Sequence, residues 1–432
     1  MSDDPEQAGA AAPTVAYRNY VLFVLFLGYV VNSIDRAVLG ILMPPIQREF
    51  ALTYTEVGLL GGLAFALFYA TLGIPIAGLA DRTSRKWVLT TCIVVWSVTT
   101  GLCGLATNFI QLLLGRIGTA TGEAGASPSS HSLISDYFPP DKRGTALALY
   151  ALGVSVGGIV GLPLAGWGND AFGWRLTFIS AGVPGLVLAL LMATTVREPR
   201  RTHSASRRTG LAAGSFGAIP ELMRRAAFRN MALGVALHSF VWYGASTFNS
   251  LFLTKTHHLS TSAIGSWLAI LSIAGAAGTF VGGMLADRLA ARFRDQRFYM
   301  WAPGGAAVLG IPFQIFGYLA PTVPLAMIGF AFSAFFASFF FGPSFAMGQA
   351  LASPSRRALA ASVLLFIQTM IGLGIGPLVV GMISDALLPL MGPQALRSAM
   401  ATVALVNVWA GLHYWLAGRT VRRDIAAAEQ SV

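Results

Sequence analysis

The stretch LLLGRIGTATGEAGASPSSHSLISDYF, from Leu112 to Phe138, is long and apolar enough to cross a membrane as a helix, yet it contains Arg116 and Glu123. A spanning helix needs about 20 mainly apolar residues, and a charge at bilayer depth is by default a candidate functional group. Seven residues make two helical turns, so the two side chains project from one face about 10 Å apart along the axis. We therefore predict that this face lines a polar interior.

A second pair of charges, Asp35 and Arg36, reaches nearly the same depth in YVLFVLFLGYVVNSIDRAVLGILM, the first apolar segment of the chain. Desolvation favours the neutral form of a buried acid and a nearby Arg favours the charged form, so an acid that exchanges its partner can bind and release a proton. Asp35 and Glu123 are the two acids placed deep in the bilayer, with Arg36 and Arg116 as their charge partners. The alternative is a permanent set of ion pairs that only holds two helices together, although four buried charges are a costly way to do so.

The composition indicates a polytopic membrane protein. Hydrophobic residues make up 55% of the 432 positions and charged residues 11%, which is about half the charged share of a soluble chain. Runs of about 20 apolar residues bounded by charge or proline predict an all-α fold with twelve transmembrane helices, numbered 1 to 12 in chain order. The runs cover residues 18–43, 56–80, 87–106, 109–135, 143–166, 174–196, 229–253, 263–286, 298–319, 324–348, 357–384 and 394–416.

The formal charge of +11 is explained by topology and needs no anionic macromolecular partner. With the N-terminus in the cytoplasm, 23 of the 29 Lys and Arg residues fall at cytoplasmic positions, as the positive-inside rule expects. We predict an integral protein of the cell (inner) membrane with both termini cytoplasmic, no nucleic-acid binding, and, because MSDDPEQ lacks a basic region, no secretory signal. The six basic residues outside this pattern are Arg36, Arg48, Arg116, Arg175, Lys255 and Arg397.

The longest polar interruption divides the chain near its middle and leaves six predicted helices on each side. The motif GLADRTSRK after helix 2 is echoed by GGMLADRLAAR after helix 8, and two equal halves with a site between them at mid-depth are typical of carriers that rock. Within the interruption, AIPELMRRAAF is expected to form a short surface helix. The predicted domains are a cytoplasmic tail at 1–17, an N-terminal bundle at 18–196, a cytoplasmic linker at 197–228, a C-terminal bundle at 229–416 and a cytoplasmic tail at 417–432.

The GLADRTSRK turn, the Arg in helix 4 and the glycine-rich helix 5 resemble the major facilitator superfamily. Within it, NSIDRAVLG in helix 1, GEAGASPSSHSLISDYFPPDKRGTALALY across helices 4 and 5, and GWRLTFISAGVPGL leading into helix 6 resemble the Spinster branch of lipid and sphingolipid transporters. This resemblance implies proton coupling at Asp35 and Glu123, and a gating or substrate-anion role for Arg36 and Arg116. It also implies an amphiphilic substrate of the lysolipid or sphingoid type.

The predicted function is a proton-coupled secondary active transporter that works by alternating access. No Lys lies in a GxxxxGK[ST] loop, so transport is expected to run on gradients and not on ATP. A proton-coupled symporter of small organic anions is the second hypothesis, since Arg36 and Arg116 could clamp a carboxylate. We expect no enzyme, no cofactor and no metal; the expected partners of this monomer are its small-molecule or lipid substrate, protons and membrane lipids.

Helix 7 carries a polar stripe at i, i+3, i+4 and i+7 spacing, which predicts a face that lines the cavity. Hydrogen bonding between helices is the alternative, because Ser and Asn commonly join membrane helices. The stripe consists of Ser239, Trp242, Tyr243, Ser246, Asn249 and Ser250, with His238 beside it.

The repeated LADR motif predicts a gate on the cytoplasmic side. Asp81 is expected to cap the start of helix 11 through the helix dipole, and Arg82 to reach Asp136, which forms a latch that closes only when the protein faces outward. The second copy is expected to repeat this arrangement less completely. The predicted gate residues are Asp81, Arg82, Arg85, Asp136, Asp287 and Arg288.

Overall fold

The structure is a computed structural model that describes residues 14–199, 219–353 and 356–430. Every element in these ranges is helical, and each predicted segment falls on one of twelve helices, which confirms the all-α polytopic fold. In chain order the helices are Val15–Phe50; Tyr54–Arg82; Arg85–Cys103; Phe109–Ala124 with Ala126–Tyr137; the two parts of Pro140–Thr195; Ala226–His257; Thr261–Phe293; Phe298–Leu319; Val323–Ala350; Arg357–Ile367 continuing to Gly376–Met391; and Ala395–Ala404 with Val406–Gln430.

Most of these helices have the length and apolarity needed to cross a membrane. Eight helical stretches of the described chain meet both conditions, and two of them contain two crossings each. The two helices outside this set are helix 4, which is interrupted at Gly125, and helix 7, which carries the polar stripe. These two are among the three helices to which the sequence assigns polar groups at mid-depth; the third, helix 1, meets both conditions.

Local interruptions shape several helices. Gly173 divides Pro140–Thr195 into helices 5 and 6, because its φ of 81° lies in the positive range that favours glycine. Helices 2 and 11 each contain a π-helical turn, at Leu59–Leu63 and Gln368–Ile375, and the two turns pack against each other. Such turns are frequent at functional positions.

Glycines on helix 5 let it pack closely along helix 1. Gly153, Gly157 and Gly161 face the helix 1 backbone between Phe26 and Ile34, as small residues at four-residue spacing predict. The segment 153–157, GVSVG, has the GxSxG spacing of a hydrolase nucleophile, but it lies inside a continuous helix and not at a strand-to-helix turn. Its glycines therefore serve helix packing.

Part of the predicted linker is described. Helix 6 ends at Thr195, a short helix forms at Ile219–Arg224 where AIPELMRRAAF predicts one, and helix 7 begins at Ala226. The remainder of the linker at 200–218 lies outside the described ranges, as do residues 1–13 of the predicted N-terminal tail. Helix 12 continues to Gln430, through most of the segment predicted as a tail.

The two halves, helices 1–6 and 7–12, meet mainly through two helix pairs, and helix 1 also contacts helix 7. Helix 5 packs on helix 8, and helix 2 packs on helix 11. We call the end of the bundle where helix 1 begins and helix 12 ends the terminal face, and the other end the opposite face. A cavity lies between the halves near mid-depth.

Candidate functional site

The four deep charges meet in one cluster between helices 1 and 4. Nε of Arg36 donates to Oε2 of Glu123 at 2.6 Å, and Nη1 of Arg116 lies 3.8 Å from Oδ2 of Asp35. Three of these side chains are almost fully buried, whereas the side chain of Arg36 is 40% exposed. The cluster therefore consists of one accessible cation and three charges behind it.

Thr100 on helix 3 holds Asp35 in place. Its hydroxyl donates to Oδ1 of the carboxylate, and both residues are buried. The hydroxyl of Thr119 on helix 4 lies 3.5 Å from that of Thr100. Because a hydroxyl donor stabilises the charged form of a carboxylate, Thr100 influences how readily Asp35 takes up a proton.

Aromatic rings of helix 2 lie beside both guanidinium groups. Cζ of Arg116 lies 5.2 Å from the ring centre of Phe65, and Cζ of Arg36 lies 4.9 Å from the ring centre of Tyr69. Cation–π attraction is stronger for desolvated cations. These rings stabilise the arginines without neutralising them, so each guanidinium keeps its positive charge.

The cluster is not a fully satisfied set of ion pairs. Among the described residues, Oδ2 of Asp35, Oε1 of Glu123, and Nε and Nη1 of Arg116 are buried without a hydrogen-bond partner. Buried polar atoms in proteins are nearly always hydrogen bonded, so such atoms call for a proton, a water molecule or a change of partner. A purely structural staple between helices 1 and 4 would leave fewer of them unpaired.

A cavity of about 480 Å³ lies beside the cluster, between the halves. Arg36 is the one charged side chain among its described lining residues, so the cluster meets the cavity through this guanidinium alone. Several amide and hydroxyl groups that the sequence does not predict also line the cavity. They give no periodic signal, because they are isolated polar residues in apolar helices. The predicted residues of the helix 7 stripe found there are His238, Trp242, Ser246, Asn249 and Ser250, and the unpredicted ones include Gln314, Tyr318, Ser333 and Asn407.

Two members of the predicted helix 7 stripe face elsewhere. Ser239 and Tyr243 pack against Gly372 of helix 11, and neither is among the described lining residues of the cavity. Residues four apart share one side of a helix, and this side turns toward helix 11 of the same half. For these two residues the structure corrects the prediction and supports the alternative of contact between helices.

His238 connects helices 7, 10 and 12 at the cavity wall. Its Nε2 lies 2.7 Å from the carbonyl oxygen of Ala337, and its Nδ1 lies 2.9 Å from Oδ1 of Asn407. Its ring also meets that of Phe340 edge-on, with the centres 4.9 Å apart. Both ring nitrogens are engaged within the C-terminal half, so His238 supports the wall of the cavity.

Two matching contacts join the halves at the opposite face. Asp385, near the end of helix 11, accepts hydrogen bonds from the backbone N–H groups of Tyr54 and Thr55 at 2.9 and 2.8 Å, where helix 2 begins. Asp170, near the end of helix 5, accepts from the backbone N–H of Ser262 at 2.9 Å, where helix 8 begins. Each carboxylate caps a helix N-terminus of the other half, where the helix dipole favours negative charge.

Close backbone approach accompanies both contacts. Gly166 faces the carbonyl of Thr261 and Gly381 faces the carbonyl of Tyr54, so that a Cβ at either glycine would collide with the partner helix. Helices 5 and 11 occupy equivalent places in the two halves, as do helices 2 and 8. We call these contacts the 5–8 seal and the 2–11 seal. The sequence does carry their signal, since GWGND and GMISD both place Asp four residues after the glycine.

At the terminal face the predicted gate residues have different partners from those expected. Asp136 pairs with Arg85 and not with Arg82, and Arg85 also donates to Ser132 at 2.9 Å. Arg85 lies in the first turn of helix 3 and reaches helix 4, whereas Arg82 at the end of helix 2 is exposed. Asp81 makes no hydrogen bond or ion pair with a described residue. The latch at helix 11 was predicted for a state in which this face is closed, so it stays a prediction.

The second copy of the motif is bonded differently again. Asp287 accepts from the hydroxyl of Tyr299 at 2.6 Å, and Arg288 is exposed. In the first copy, the unpredicted Glu198 accepts from the backbone N–H groups of Arg85 and Lys86 at 3.1 and 2.8 Å, and so caps helix 3. The two motifs share a sequence and a position in the fold, but not their partners.

Two six-helix halves around a central cavity, with buried charges at its edge, define a membrane transporter and not an enzyme. The chain belongs to the Major Facilitator Superfamily, whose family model matches residues 25–313. Its structure is similar to the crystal structure of a bacterial homologue of the human lysosomal transporter Spinster in an inward-facing, unoccupied conformation. The TM-score is 0.87 with 34% identity, over 95% of this chain and 99% of that chain. The predicted resemblance to the Spinster type of this superfamily is confirmed.

Curated relatives are transporters as well. An MFS-type efflux pump of Mycolicibacterium smegmatis is 32% identical over 93% of this chain and 93% of its own length. A hexuronate transporter of Bacillus subtilis is 27% identical over 62% of this chain and 64% of its own length. Transporters of organic anions are therefore among the relatives of this chain.

Proposed function

We propose that this protein is a proton-coupled secondary transporter that works by alternating access and moves a lysolipid-like amphiphile with an anionic head group. The observation that carries the proposal is the position of Arg36, which faces the central cavity and also pairs with the buried carboxylate of Glu123. An anion in the cavity and Glu123 therefore compete for one guanidinium.

This competition links the substrate to the proton. When an anion takes Arg36, Glu123 becomes a buried carboxylate without its partner, which is costly unless it binds a proton. A proton on Glu123, in turn, frees Arg36 for the anion. Each ligand favours the binding of the other, and this reciprocal coupling is what a symporter of protons and anions requires.

Asp35 and Arg116 form the deeper half of the cluster. Neither is among the described residues that line the cavity, and the carboxyl groups of Asp35 and Glu123 are close enough to interact electrostatically. Protonation of one acid therefore affects the other, so the two carboxyl groups bind and release a proton as a coupled pair. We assign Arg116 the role of a fixed counter charge, because its surroundings bury it completely.

The cavity suits an amphiphile. Its single charge among the described lining residues lies on helix 1, while helices 7 to 10 contribute apolar and aromatic side chains interspersed with hydroxyl and amide groups. A volume of about 480 Å³ lies within the usual range for sites that bind drug-sized molecules. The resemblance of the helix 1, 4 and 5 motifs to the Spinster branch implies an amphiphilic substrate. The apolar and aromatic wall residues include Val241, Leu268, Leu271, Phe330 and Phe341.

The second candidate is a proton-coupled symporter of small organic anions. The likeness to a hexuronate transporter favours it, and Ser246, Asn249 and Gln314 place hydroxyl and amide groups on the cavity wall that could bind a sugar acid. A thermal-shift screen of lysophosphatidic acid against galacturonate separates the two. Stabilisation by the lysolipid alone supports the first candidate, and stabilisation by galacturonate alone supports the second. Arg36→Gln should abolish either response.

Proton coupling is tested by Asp35→Asn and Glu123→Gln, which keep the shape of each side chain and remove its proton site. We expect both variants to fold and to lose substrate uptake driven by a pH gradient in proteoliposomes. Glu221→Gln, an exposed acid at the linker, serves as the matched control and should transport as the parent does. Transport with parental pH dependence in both variants would show that the two acids only hold the helices together.

A further inference from the structure

Two basic residues at the opposite face remain unexplained by topology or pairing. Arg48 and Lys255 depart from the positive-inside pattern, and both line a second cavity of about 510 Å³ between helices 1, 2, 7 and 11. We call it the outer cavity. The other four exceptions have partners: Arg36 and Arg116 in the charge cluster, Arg175 with Glu49 at 2.7 Å, and Arg397 with the carbonyl of Leu319 at 2.8 Å.

The basic groups of the outer cavity are free or held by uncharged partners. Arg48 makes no hydrogen bond or ion pair with a described residue. Nζ of Lys255 donates to the hydroxyl of Tyr54 at 3.0 Å and lies 4.5 Å from its ring centre. The hydroxyl of Thr254 is buried without a hydrogen-bond partner. Two cations and a spare hydroxyl therefore converge on one space.

The one acid of this cavity is already engaged. Both carboxylate oxygens of Asp385 accept hydrogen bonds from the start of helix 2, where they oppose the positive end of the helix dipole. Asp385 is thus the capping group of the 2–11 seal and does not pair with Arg48 or Lys255. The space between the two cations keeps a net positive charge.

We propose that the outer cavity is a binding site for an anion of the carboxylate or phosphate type, held between Arg48 and Lys255 with Thr254 as a further donor. Charge-assisted hydrogen bonds to an anion are stronger than the bond from Lys255 to a neutral hydroxyl. The anion therefore draws Lys255 away from Tyr54.

Occupation of this site loosens the 2–11 seal, because Tyr54 takes part both in the outer cavity, through Lys255, and in the seal, through Asp385. The same residue gives its N–H to Asp385 and sets its carbonyl against Gly381. An anion that arrives at the opposite face thereby favours opening of the face at which it arrives. Arg48 lies twelve residues along helix 1 from Arg36, about 18 Å in a straight helix, so the site is separate from the central cavity.

Binding is measured by calorimetry on the full chain in phosphatidylcholine nanodiscs, with galacturonate and lysophosphatidic acid as probes. The background variant is Arg36→Gln, so that the central cavity contributes no anion binding. We expect at least one probe to bind, and Arg48→Gln or Lys255→Gln to weaken binding about tenfold, as the loss of a charged hydrogen bond predicts. A response to galacturonate identifies a free solute as the source of the anion, and a response to the lysolipid alone identifies a head group.

The matched control is Arg397→Gln, which removes one positive charge from the same face outside the cavity. Equal weakening in Arg48→Gln and Arg397→Gln would mean that only surface charge matters and would overturn the proposal, as would the absence of binding in the Arg36→Gln background.

The opening of the 2–11 seal is measured as the distance between spin labels at Leu105→Cys and Leu390→Cys, both exposed. We expect the bound probe to lengthen this distance, and an unchanged distance would remove the link to the seal. Loss of proton coupling in the central variants would leave these results unaffected.

Discussion

Arg36 sets the chemistry of the site because it is the one member of the charge cluster within reach of the cavity. The other three charges are almost fully buried, and several of their atoms have no hydrogen-bond partner among the described residues, which calls for a proton, a water molecule or a change of partner. A buried ion pair contributes little net stability when its desolvation is counted. The cluster is therefore better explained by exchange of partners than by stabilisation of the fold.

Thr100→Val tests how the deep acid is tuned. The change keeps the shape of the side chain but removes the donor to Asp35, so the charged carboxylate loses a hydrogen bond worth about 1.5 to 3 kcal/mol. A carboxylate that has lost a donor holds its proton more tightly, so the pH midpoint of transport in proteoliposomes should move upward. Thr90→Val is the matched control, since its hydroxyl bonds to the carbonyl of Lys86 on the same helix. Equal midpoints in the two variants would contradict the assigned role of Thr100.

At the scale of single residues, the sequence predicts the charged residues of the site better than it predicts the residues that bond to them. Asp35, Arg36, Arg116 and Glu123 are conspicuous because ionisable residues are rare in apolar helices. Thr100 gives no such signal, since a Thr in a membrane helix most often bonds to its own backbone, as Thr90 does. The partner of Asp136 could not be predicted either, because Arg82 and Arg85 are both in reach of it by sequence and the turn between helices 2 and 3 decides which one points inward.

The 5–8 seal and the 2–11 seal at the opposite face have the same construction. In each, a carboxylate caps the N-terminus of a helix in the other half and a glycine lets the two backbones approach. This construction appears on helices 5 and 11 because the two halves are repeats. The proposed alternating access requires contacts of this kind to break when the cavity opens at the opposite face, since the seals join the two halves.

Asp170→Asn and Asp385→Asn each weaken one seal. A charge at a helix N-terminus is worth about 0.3 to 2 kcal/mol, and the two sites are far enough apart for their effects to add. We expect each variant to increase the reactivity of a Ser246→Cys cavity thiol toward an impermeant reagent added at the opposite face, and the double variant to increase it further. Asp287→Asn at the terminal face is the control. Unchanged reactivity in the double variant would show that the carboxylates do not hold this face closed.

Helix positions follow from apolarity, but irregularities within the helices do not. The predicted segments fall on the observed helices because about 20 apolar residues are needed to cross the bilayer. The break at Gly125 and the π-helical turns at 59–63 and 368–375 depend on packing between helices, which no local pattern specifies. The 5–8 and 2–11 seals could have been found by comparing the two halves, because each carries glycine and Asp at the same four-residue spacing.

At the scale of the whole molecule, the charge pattern determines how the bundle sits in the membrane. The start of helix 1, the end of helix 12 and most basic residues of the described chain lie at the terminal face, so the positive-inside rule predicts that this face is cytoplasmic. In that orientation the seals lie at the external face, and the Spinster homologue that the chain resembles is itself in an inward-facing conformation. The six basic residues outside the pattern belong to the central site, the outer cavity, the Arg175–Glu49 ion pair and the hydrogen bond from Arg397 to a backbone carbonyl.

Cysteine labelling in intact cells tests this orientation. Ala427→Cys places an exposed thiol at the terminal face and Leu105→Cys places one at the opposite face, while the native Cys92 and Cys103 are buried. Because the positive-inside rule predicts that the terminal face is cytoplasmic, we expect an impermeant maleimide to label Leu105→Cys in whole cells and Ala427→Cys only after the membrane is opened. The reverse labelling pattern would show that the molecule has the opposite orientation in the membrane. The seals would then close the cytoplasmic face, and the outer cavity would sample anions from the cytoplasm, although the distances between helices would be the same.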